Sequence, residues 1–406
     1  MARQVDIAII GGGLVGASLA CALAPTGMRI AVVEAVARQA AAQPSYDDRT
    51  LALSDSSCRI LAGLGLWPAL RGEATPIRRI VVTELDRPGR VELDPAELRL
   101  DAFGHVVEAR VLGRALVEAM DGLDAVEVIC PARVAGLELG AEAVSLALEG
   151  GADIDALDAR LVVAADGADS TVRELLGIAT ERRDYAQTAV ICNITPEAHH
   201  EGRAFERFTP SGPFAVLPHV GDRCGLVWTV SSADAPALLA LPEDEFLAAA
   251  QARFGDELGA FQRMGRRASY PLRLVRATGD TAHRVAIIGN AAHAIHPVGA
   301  QGFNLGLRDA AVLAEVLTAN GGDPGEMAAL QRYSAWRRTD QDDTVGWSDG
   351  LARLYANPGR LAAAVRTAGL LAHALVPPLR RELASRMMGY RGRMPALALS
   401  ALEAAP

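Results

Sequence analysis

The chain has 406 residues, of which 50% are hydrophobic and 22% charged, a balance typical of a globular protein with more than one domain. The formal net charge of -9, without a basic stripe rich in aromatic residues, argues against a nucleic-acid partner. The sequence contains no lysine, which excludes Schiff-base chemistry, and its five cysteines form no CxxC pair, which argues against a disulfide framework or a zinc site.

Residues 5–34 carry the first pattern, a complete dinucleotide-binding unit. The apolar run over 5–10 predicts a buried strand, Leu14 opens the following helix, and Gly11-x-Gly13-x-x-Gly16 forms the turn between them. Such glycines allow a tight turn, close approach of the backbone to a pyrophosphate, and packing of helix on strand. Glu34 ends the second strand, where its carboxylate can accept hydrogen bonds from a ribose diol. The unit predicts a nucleotide cofactor but does not distinguish FAD from NAD.

Later segments alternate between helical and strand patterns. Short strands are predicted over 77–100, a helix over 110–120, and paired strands over 126–149. Residues 188–230 contain β-forming runs separated by Pro and Gly turns, which predict several short antiparallel strands. From Leu305 onward the pattern is helical.

These elements predict an α/β fold with three parts: a Rossmann-like nucleotide-binding domain, an inserted antiparallel β-sheet domain that holds substrate, and C-terminal helices. The expected boundaries are 1–73, 101–175 and 280–340 for the first part, 74–100 and 176–279 for the second, and 341–406 for the third.

A second segment, Asp166-Gly167, directly follows the strand predicted over 161–165. Ser170 behind it is a favourable N-cap for another helix. Alone, the segment is equally consistent with an ordinary strand-to-helix turn.

The third segment follows a strand predicted over 284–288. Its Gly289-Asn290 pair ends the strand, and the Asn290 amide can hydrogen-bond a ribityl hydroxyl. The loop Pro297-Val-Gly299-Ala-Gln301-Gly302-Phe303-Asn304 then leads into a new helix. Free backbone N–H groups around Gly302 to Asn304 can hold a flavin carbonyl and stabilise negative charge on the reduced ring.

In this order and spacing, the three segments resemble those of class A flavin monooxygenases with the para-hydroxybenzoate hydroxylase fold. The resemblance implies FAD as cofactor, with Pro297, Gly299 and Gln301 acting catalytically as loop backbone beside the flavin and no side chain as an obligatory acid or base. The FAD contacts it implies in these segments are Gly11, Gly13, Leu14, Gly16, Glu34, Asp166, Gly167, Gly289, Asn290, Gly302, Phe303 and Asn304.

Residues 46–53, 200–209, 223–228 and 336–337 are similar to the 2-polyprenyl-6-methoxyphenol hydroxylases of the ubiquinone-biosynthesis branch. Most class A members have Asp where this chain has Asn290, but this branch also uses Asn. The resemblance implies that Arg49 and Arg110 contact the FAD.

The same resemblance implies a polyprenylated phenol as substrate, hydroxylated on its ring through a flavin C4a-hydroperoxide with O2 as co-substrate. NADPH, NADH or a ferredoxin-type chain would supply the electrons. The apolar strands that carry Phe214, Pro218 and Trp228 suit a dry pocket over the flavin.

Two other functions stay open from the sequence. A reductase or oxidase of the same fold would act on a lipophilic substrate without inserting oxygen, and a non-catalytic flavoprotein would serve as scaffold in a biosynthetic assembly. His293 and His296 lie three residues apart, but Pro297 and the lack of a third ligand argue against a metal site. The charged run over 340–343 predicts a solvated helix face.

Residues 360–406 combine apolar residues with seven arginines and two glutamates. This composition is consistent either with docking on a membrane surface or a partner, or with a helix packed on the core with its arginines in water. We expect a cytoplasmic protein without a leader peptide. If the C-terminal region docks on a membrane surface, the protein would be attached peripherally to the inner membrane.

Overall fold

The computed structural model describes residues 3–37, 49–150, 154–390 and 392–400. Residues 46–48 of the ubiquinone-branch pattern and Arg391 of the basic C-terminal region lie outside these described ranges.

The strands are β1 (Arg3–Ile10), β2 (Ile30–Val33), β3 (Thr50–Ser54), β4 (Thr75–Pro76), β5 (Arg79–Glu84), β6 (Arg90–Leu93), β7 (Gly104–Glu108), β8 (Val126–Ile129), β9 (Arg133–Leu139), β10 (Val144–Glu149), β11 (Ala156–Ala164), β12 (Thr180–Pro196), β13 (Arg203–Thr209), β14 (Gly212–Pro218), β15 (Cys224–Ser231), β16 (Phe261–Met264), β17 (Ala268–Ala277), β18 (Thr281–Ala282), β19 (Val285–Ile287) and β20 (His293–Ala294). The helices are α1 (Leu14–Leu23), α2 (Asp55–Gly63), α3 (Trp67–Leu70), α4 (Ala109–Asp121), α5 (Thr171–Leu175), α6 (Ala235–Ala240), α7 (Glu243–Phe254), α8 (Gln301–Asn320), α9 (Met327–Ala356), α10 (Arg360–Leu375), α11 (Pro377–Met387) and α12 (Ala396–Ser400).

The first sheet has the order β18-β19-β11-β1-β2-β8, and β1 pairs in parallel with both β11 and β2. Alternate side chains of β1 are buried on opposite faces, with Ile7 and Ile9 against helices and Ala8 and Ile10 on the β9–β10 side. Burial on both faces explains the unbroken apolar run of this strand. The carboxyl ends of β1, β11 and β19 meet at one edge, and each of the three sequence segments follows one of them.

The second sheet has the order β20-β17-β12-β15-β14-β13-β5-β6 and is mainly antiparallel, as predicted. One pair departs from this pattern, because β13 and β5 run in parallel. No hairpin joins these two strands, so no turn sets their relative direction. The outer face of this sheet packs on α6 and α7, and its inner face lies toward the carboxyl edge of the first sheet.

The long helix α9 packs along α8. The charged run over 340–343 lies on α9, and only part of it is exposed to solvent as predicted. Asp342 is exposed, but Asp340 is buried against Arg308 and Arg337. The prediction was wrong for Asp340 because a helix alternates its faces within a run of four residues.

Helices α10 and α11 form a bent pair with an angle of 100° between them. Within the described ranges, no single helix is both long enough and apolar enough to cross a membrane. Helices α10 and α11 meet these two criteria only when they are taken together.

Candidate functional site

A crevice of about 650 Å³ lies between the carboxyl edge of the first sheet and the inner face of the second. All three predicted segments reach it. The predicted site residues that line it are Gly11, Gly13, Leu14, Glu34, Arg49, Asp166, Gly167, Asn290, Pro297, Gly302 and Phe303.

Two glycines of the first segment are required by close backbone approach. Gly11 has φ +105°, and a Cβ there would overlap the carbonyl of Ala165 at the end of the neighbouring strand. A Cβ on Gly16 would overlap the carbonyl oxygen of Gly11. Gly16 therefore holds α1 against β1 and does not line the crevice, whereas Gly11 shapes its floor.

The Glu34 carboxylate organises one end of the crevice. Its Oε2 accepts a hydrogen bond from Gly12 N at 2.7 Å, and its Oε1 accepts one from Val36 N at 2.7 Å. The carboxylate is thereby fixed beside the glycine turn, at the position where a ribose diol would donate to it.

Asp166 lies on the other side of the glycine turn. Its Oδ2 accepts a hydrogen bond from Val172 N at 3.2 Å, and its Oδ1 is buried with no hydrogen-bond partner among the described residues. Burial raises the pKa of this carboxyl. A buried acceptor without a partner is costly, and a bound ligand with hydroxyl donors would satisfy it.

The Gly289-Asn290 pair is anchored from behind. Gly289 N donates to Asp309 Oδ2 at 3.0 Å, and the same oxygen lies 2.6 Å from His293 Nε2. Asp309 Oδ1 accepts from Arg337 Nε at 2.7 Å. Gly289 itself faces α1, so Asn290 is the member of the pair that lines the crevice.

The loop before α8 separates into two sides. Pro297, Gly302 and Phe303 line the crevice, and the first-turn N–H groups of α8 have no partner within the helix. Gly299 and Gln301 instead line a second cavity. The Gln301 amide donates to the backbone carbonyls of Gly299 at 2.9 Å and Met387 at 3.1 Å, which ties the loop to the end of α11.

Asn304 has a structural position. Its Oδ1 accepts from Ser54 N, and its Nδ2 donates to the carbonyls of Ala52 and Ala300, so that the start of α8 is fixed to β3. Its side chain is therefore engaged by protein and does not line the crevice.

The two arginines implied by the resemblance are separated. Arg49 lines the crevice, and its carbonyl accepts from Ala109 N at 2.8 Å. Arg110 pairs with Glu108, a buried carboxylate that also lies 3.2 Å from His219 Nε2. The structure does not bring Arg110 into the crevice.

The second cavity, the apolar cavity, has a volume of about 300 Å³ and lies between β5, β13, α9, α10 and α11. It shares Ala52, Glu206, Leu217 and Ala300 with the crevice, so the two spaces meet at the loop before α8. Its wall is formed largely by aliphatic and aromatic side chains, among them Ile80, Val82, Phe103, Phe208, Leu354, Leu370, Leu383 and Met388.

The proposed pocket residues Phe214, Pro218 and Trp228 are not part of either lining. Phe214 and Trp228 are cross-strand neighbours buried against α7 on the outer face of the sheet. Pro218 lies four residues after Phe214 on β14 and so belongs to the same face. Ala215 and Leu217, the alternate residues of that strand, line the crevice. The predicted strands were found, but the prediction assigned their side chains to the wrong face.

The two histidines of the third segment also have separate roles. His293 pairs with Asp309, whereas His296 accepts from Val298 N and lies 3.3 Å from Gln187 Oε1. Burial lowers the pKa of His296 to about 4, so its ring is neutral at pH 7. Among the described residues, no group of three or more His, Cys, Asp or Glu side chains is arranged to hold a metal.

A family model described as an FAD binding domain matches residues 4–348. Ubiquinone hydroxylase UbiL of Rhodospirillum rubrum is 41% identical over 390 residues, which cover 95% of this chain and 90% of the relative. The 3-demethoxyubiquinol 3-hydroxylase of Escherichia coli is 33% identical over 397 residues, covering 95% of this chain and 99% of the relative. The chain belongs to the FAD-dependent hydroxylase family of ubiquinone biosynthesis.

The crystal structure of p-nitrophenol 4-monooxygenase PnpA from Pseudomonas putida has the same fold, with a TM-score of 0.80 at 21% identity over 96% of this chain and 99% of that one. These findings confirm the predicted fold class, FAD as cofactor and the enzyme class of this hydroxylase, for which NAD(P)H and O2 are standard. The crevice fits FAD, because glycine backbone, the Glu34 carboxylate and the unpartnered Asp166 oxygen are arranged along it.

Sequence reasoning missed two acidic residues of this hydroxylase. Asp309 lies one turn beyond the third segment, and a charged residue inside an apolar helix was the available signal. Glu206 lies in the segment over 200–209 that resembles the ubiquinone-biosynthesis branch, between Phe205 and Arg207 on β13. Its importance depends on which face of the sheet meets the cavity, and the sequence does not define that face.

Proposed function

We propose that this hydroxylase inserts oxygen into the aromatic ring of a polyprenylated phenol, of the 2-polyprenyl-6-methoxyphenol type, in ubiquinone biosynthesis. The observation that carries the proposal is the meeting of the crevice and the apolar cavity at the loop before α8. A phenol ring at this junction would face the cofactor, while its prenyl tail occupied the apolar cavity. The apolar lining suits a tail without polar atoms.

In this proposal, the three segments hold FAD together. The Gly11 turn and the N-terminus of α1 bind the pyrophosphate, and Glu34 accepts from the ribose. Asp166 and Asn290 bind polyol hydroxyls, and the first turn of α8 at Gly302 and Phe303 supports the ring. Bound FAD, once reduced by NAD(P)H, supplies the activation of O2 for transfer to the substrate.

The chain contributes an enclosed environment for this chemistry. Ala300 lies where the two spaces meet, Pro297 lines the crevice beside it, and the apolar side chains of Ala52 and Leu217 also lie at the junction. Exclusion of water from such a site limits the unproductive loss of reactive oxygen. The backbone of Pro297 would border the flavin ring from the crevice side. Gly299 and Gln301 lie on the apolar-cavity side of the same loop, where the Gln301 amide fixes it.

We further propose that α10 and α11 rest on a lipid surface from which the substrate enters. Leu361 and Leu375 are 80% and 77% exposed, and Val365 is both exposed and part of the apolar cavity wall. The exposed apolar face is therefore continuous with the proposed tail site. Of the arginines in this region, Arg380 pairs with Glu97, while Arg360 and Arg381 are exposed and available to anionic headgroups.

The proposed reaction is tested with purified FAD-loaded protein, NAD(P)H, ¹⁸O2 and 2-prenyl-6-methoxyphenol. We expect a product heavier by one ¹⁸O atom and NAD(P)H oxidation stimulated by the phenol. The control substrate is 2-methoxyphenol, which differs from the test phenol only because it lacks the prenyl group. Burial of five carbons is worth roughly 4 kcal/mol, so kcat/KM is expected to be lower on the order of 10³-fold for the shorter phenol.

Other outcomes would contradict the proposal. A product without ¹⁸O would indicate a reductase or oxidase of the same fold, and the absence of phenol-stimulated NAD(P)H oxidation would indicate a flavoprotein scaffold. Equal kcat/KM values for the two phenols would show that the apolar cavity does not bind the prenyl tail.

A further inference from the structure

Glu206 is a carboxylate placed in an apolar row on the inner face of the second sheet. It lies opposite Val82 of β5 on one side and Ala215 of β14 on the other, and Ala215 in turn lies opposite Val227 of β15. Val82, Ala215 and Val227 all line one of the two spaces. Glu206 lines both, so it lies at the junction.

No hydrogen bond or ion pair within the described residues engages the Glu206 carboxylate. The other charged or amide groups of the apolar cavity are occupied. Arg366 Nε donates to Glu84 Oε1 at 2.8 Å, and the Gln301 amide donates to two backbone carbonyls. His373 Nδ1 lies 2.8 Å from the carbonyl of Gly369. Glu206 is therefore the carboxylate still able to accept a hydrogen bond from a ligand at the junction.

We propose that the Glu206 carboxylate accepts the hydrogen bond of the substrate's phenol hydroxyl and takes its proton. This inference rests on the proposed function and assigns the proton acceptor for it. The phenol O–H bond breaks, an O–H bond forms on the carboxylate, and the negative charge moves to the phenol oxygen. No electrons are exchanged with another reagent, and the proton passes to solvent after the product leaves.

The chemical advantage is an electron-rich ring. Oxygen transfer to an aromatic carbon is favoured when the ring oxygen is ionised, and a base within hydrogen-bond reach is the means of ionising it. An apolar surrounding raises the pKa of a lone carboxylate, which brings it closer to the pKa of a phenol, about 10, and so strengthens the carboxylate as a base.

Electrostatics support this geometry. Burial raises the pKa of Glu206 to about 7. The titratable and charged groups that line the apolar cavity with Glu206 are Tyr355 of α9 and Arg366 and His373 of α10, and Glu84 of β5 neutralises Arg366. On the crevice side the lining includes Arg49 and Tyr270. A general base is most efficient when its pKa lies near the working pH. Since the basic form predominates above pH 7, kcat/KM should rise as the pH increases through about 7.

The test compares Glu206→Gln with Glu92→Gln in the FAD-loaded protein. Glu92 lies on β6 of the same sheet but outside both spaces, paired with Arg90. For Glu206→Gln we expect FAD content to be unchanged, kcat to fall about 10²- to 10⁴-fold, and the rise of kcat/KM near pH 7 to disappear. Glu92→Gln should retain the wild-type rate and pH profile.

A second readout requires no turnover. Ultraviolet difference spectra of 2-prenyl-6-methoxyphenol bound to the oxidised protein at pH 8 should show the red-shifted band of a phenol hydrogen-bonded to an ionised carboxylate in the wild type and not in Glu206→Gln. If the wild type shows this band but incorporates no ¹⁸O, the proposed function fails and the proton acceptor stands. If the wild type shows no such band, or if Glu206→Gln keeps both the band and the pH profile, the assignment of Glu206 is overturned.

A conservative variant covers the case in which Glu206→Gln does not accumulate as folded flavoprotein. Glu206→Asp keeps the carboxylate and withdraws it by one methylene. We expect a reduced kcat with the pH-dependent rise retained, and loss of that rise in Glu206→Asp would overturn the proposal.

Discussion

At the scale of single residues, the cofactor site depends on groups whose positions follow from local sequence. Gly11 and Glu34 lie within one strand-turn-helix-strand unit, and each is placed by hydrogen bonds or close packing inside that unit. Their spacing is therefore sufficient to predict where they lie. Glu34 provides a direct test, because its carboxylate is fixed by two backbone donors and would accept from the ribose.

Glu34→Gln should weaken FAD binding without unfolding the protein. The amide loses the negative charge and directs an N–H group toward one of two backbone donors. A hydrogen bond to a charged group contributes about 1.5–3 kcal/mol, so the Kd for FAD should rise tenfold or more. Titration of apoprotein with FAD, followed by quenching of flavin fluorescence, measures this change.

Glu127→Gln is the matched control for Glu34→Gln. Glu127 lies on β8 of the same sheet and pairs with Arg3, outside the crevice. We expect its Kd for FAD to equal that of the wild type. An unchanged Kd in Glu34→Gln would mean that the Glu34 carboxylate serves only the loop.

The pocket residues show what single-residue reasoning lacks. Successive residues of a strand point to opposite faces of the sheet. Phe214 and Trp228 lie on one face, and Ala215 and Val227 lie on the other. Because that first face carries the large aromatic residues, composition alone favoured it as the wall of the substrate pocket. They pack on α7, whose contact with the sheet is a long-range property that period-two alternation does not encode.

At the scale of elements, a buried ion-pair network joins α8 to α9 behind the third segment. Asp340 accepts from Arg308 Nε and Arg337 Nη1, each at 2.7 Å, and Arg337 also donates to Asp309. Asp309 in turn accepts from Gly289 N and pairs with His293. The network therefore links the two helices to the strand end that carries Asn290.

Asp340→Asn should destabilise the protein far more than Asp342→Asn. Loss of the buried carboxylate leaves two guanidinium groups without full compensation, which costs about 3–5 kcal/mol. Asp342 lies two residues away on the same helix but is exposed and pairs with Arg276 at the surface, so its loss should cost about 0–1 kcal/mol. Urea unfolding at pH 7 measures both free energies, and equal values would contradict a buried role for Asp340.

The same network predicts how stability depends on pH. Burial alone would raise the pKa of Asp340, but Arg308 and Arg337 outweigh it and hold that pKa at about 2. In the unfolded chain an aspartate has a pKa of about 3.9. The folded form therefore binds this proton less readily, and the stabilisation is complete above pH 4 and is lost as the pH falls from about 4 to 2. Asp340→Asn should lack this component in urea unfolding curves measured across that range.

At the scale of the whole molecule, the apolar cavity is assembled from parts far apart in the chain. Its wall combines β3, β5 and β13 with the loop before α8 and with α10 and α11. The sequence predicted helices after residue 305 and a basic, apolar C-terminal region, and both are present. It did not predict that this region closes the cavity, because such packing depends on how separate elements dock.

The exposed apolar face of α10 and α11 gives a prediction for the complete protein. Leu361→Ser combined with Leu375→Ser should remove the protein from vesicles of phosphatidylcholine and phosphatidylglycerol in a flotation assay, while the wild type floats. A fully buried leucine contributes about 1.5–3 kcal/mol, so partial insertion of two can change the vesicle-bound to free ratio by tenfold or more.

The matched control combines Leu139→Ser with Leu175→Ser, since these leucines are also exposed but lie on β9 and α5, away from the apolar cavity. This variant should float like the wild type. Because the substitutions lie on the outer surface, both variants should also keep wild-type kcat with a water-soluble short-chain phenol, which separates docking from catalysis. A wild-type protein that stays with the soluble fraction would contradict lipid docking and would favour a protein partner for this face. Equal loss from both variants would show that apolar exposure in general, and not the entrance formed by α10 and α11, governs association with lipid.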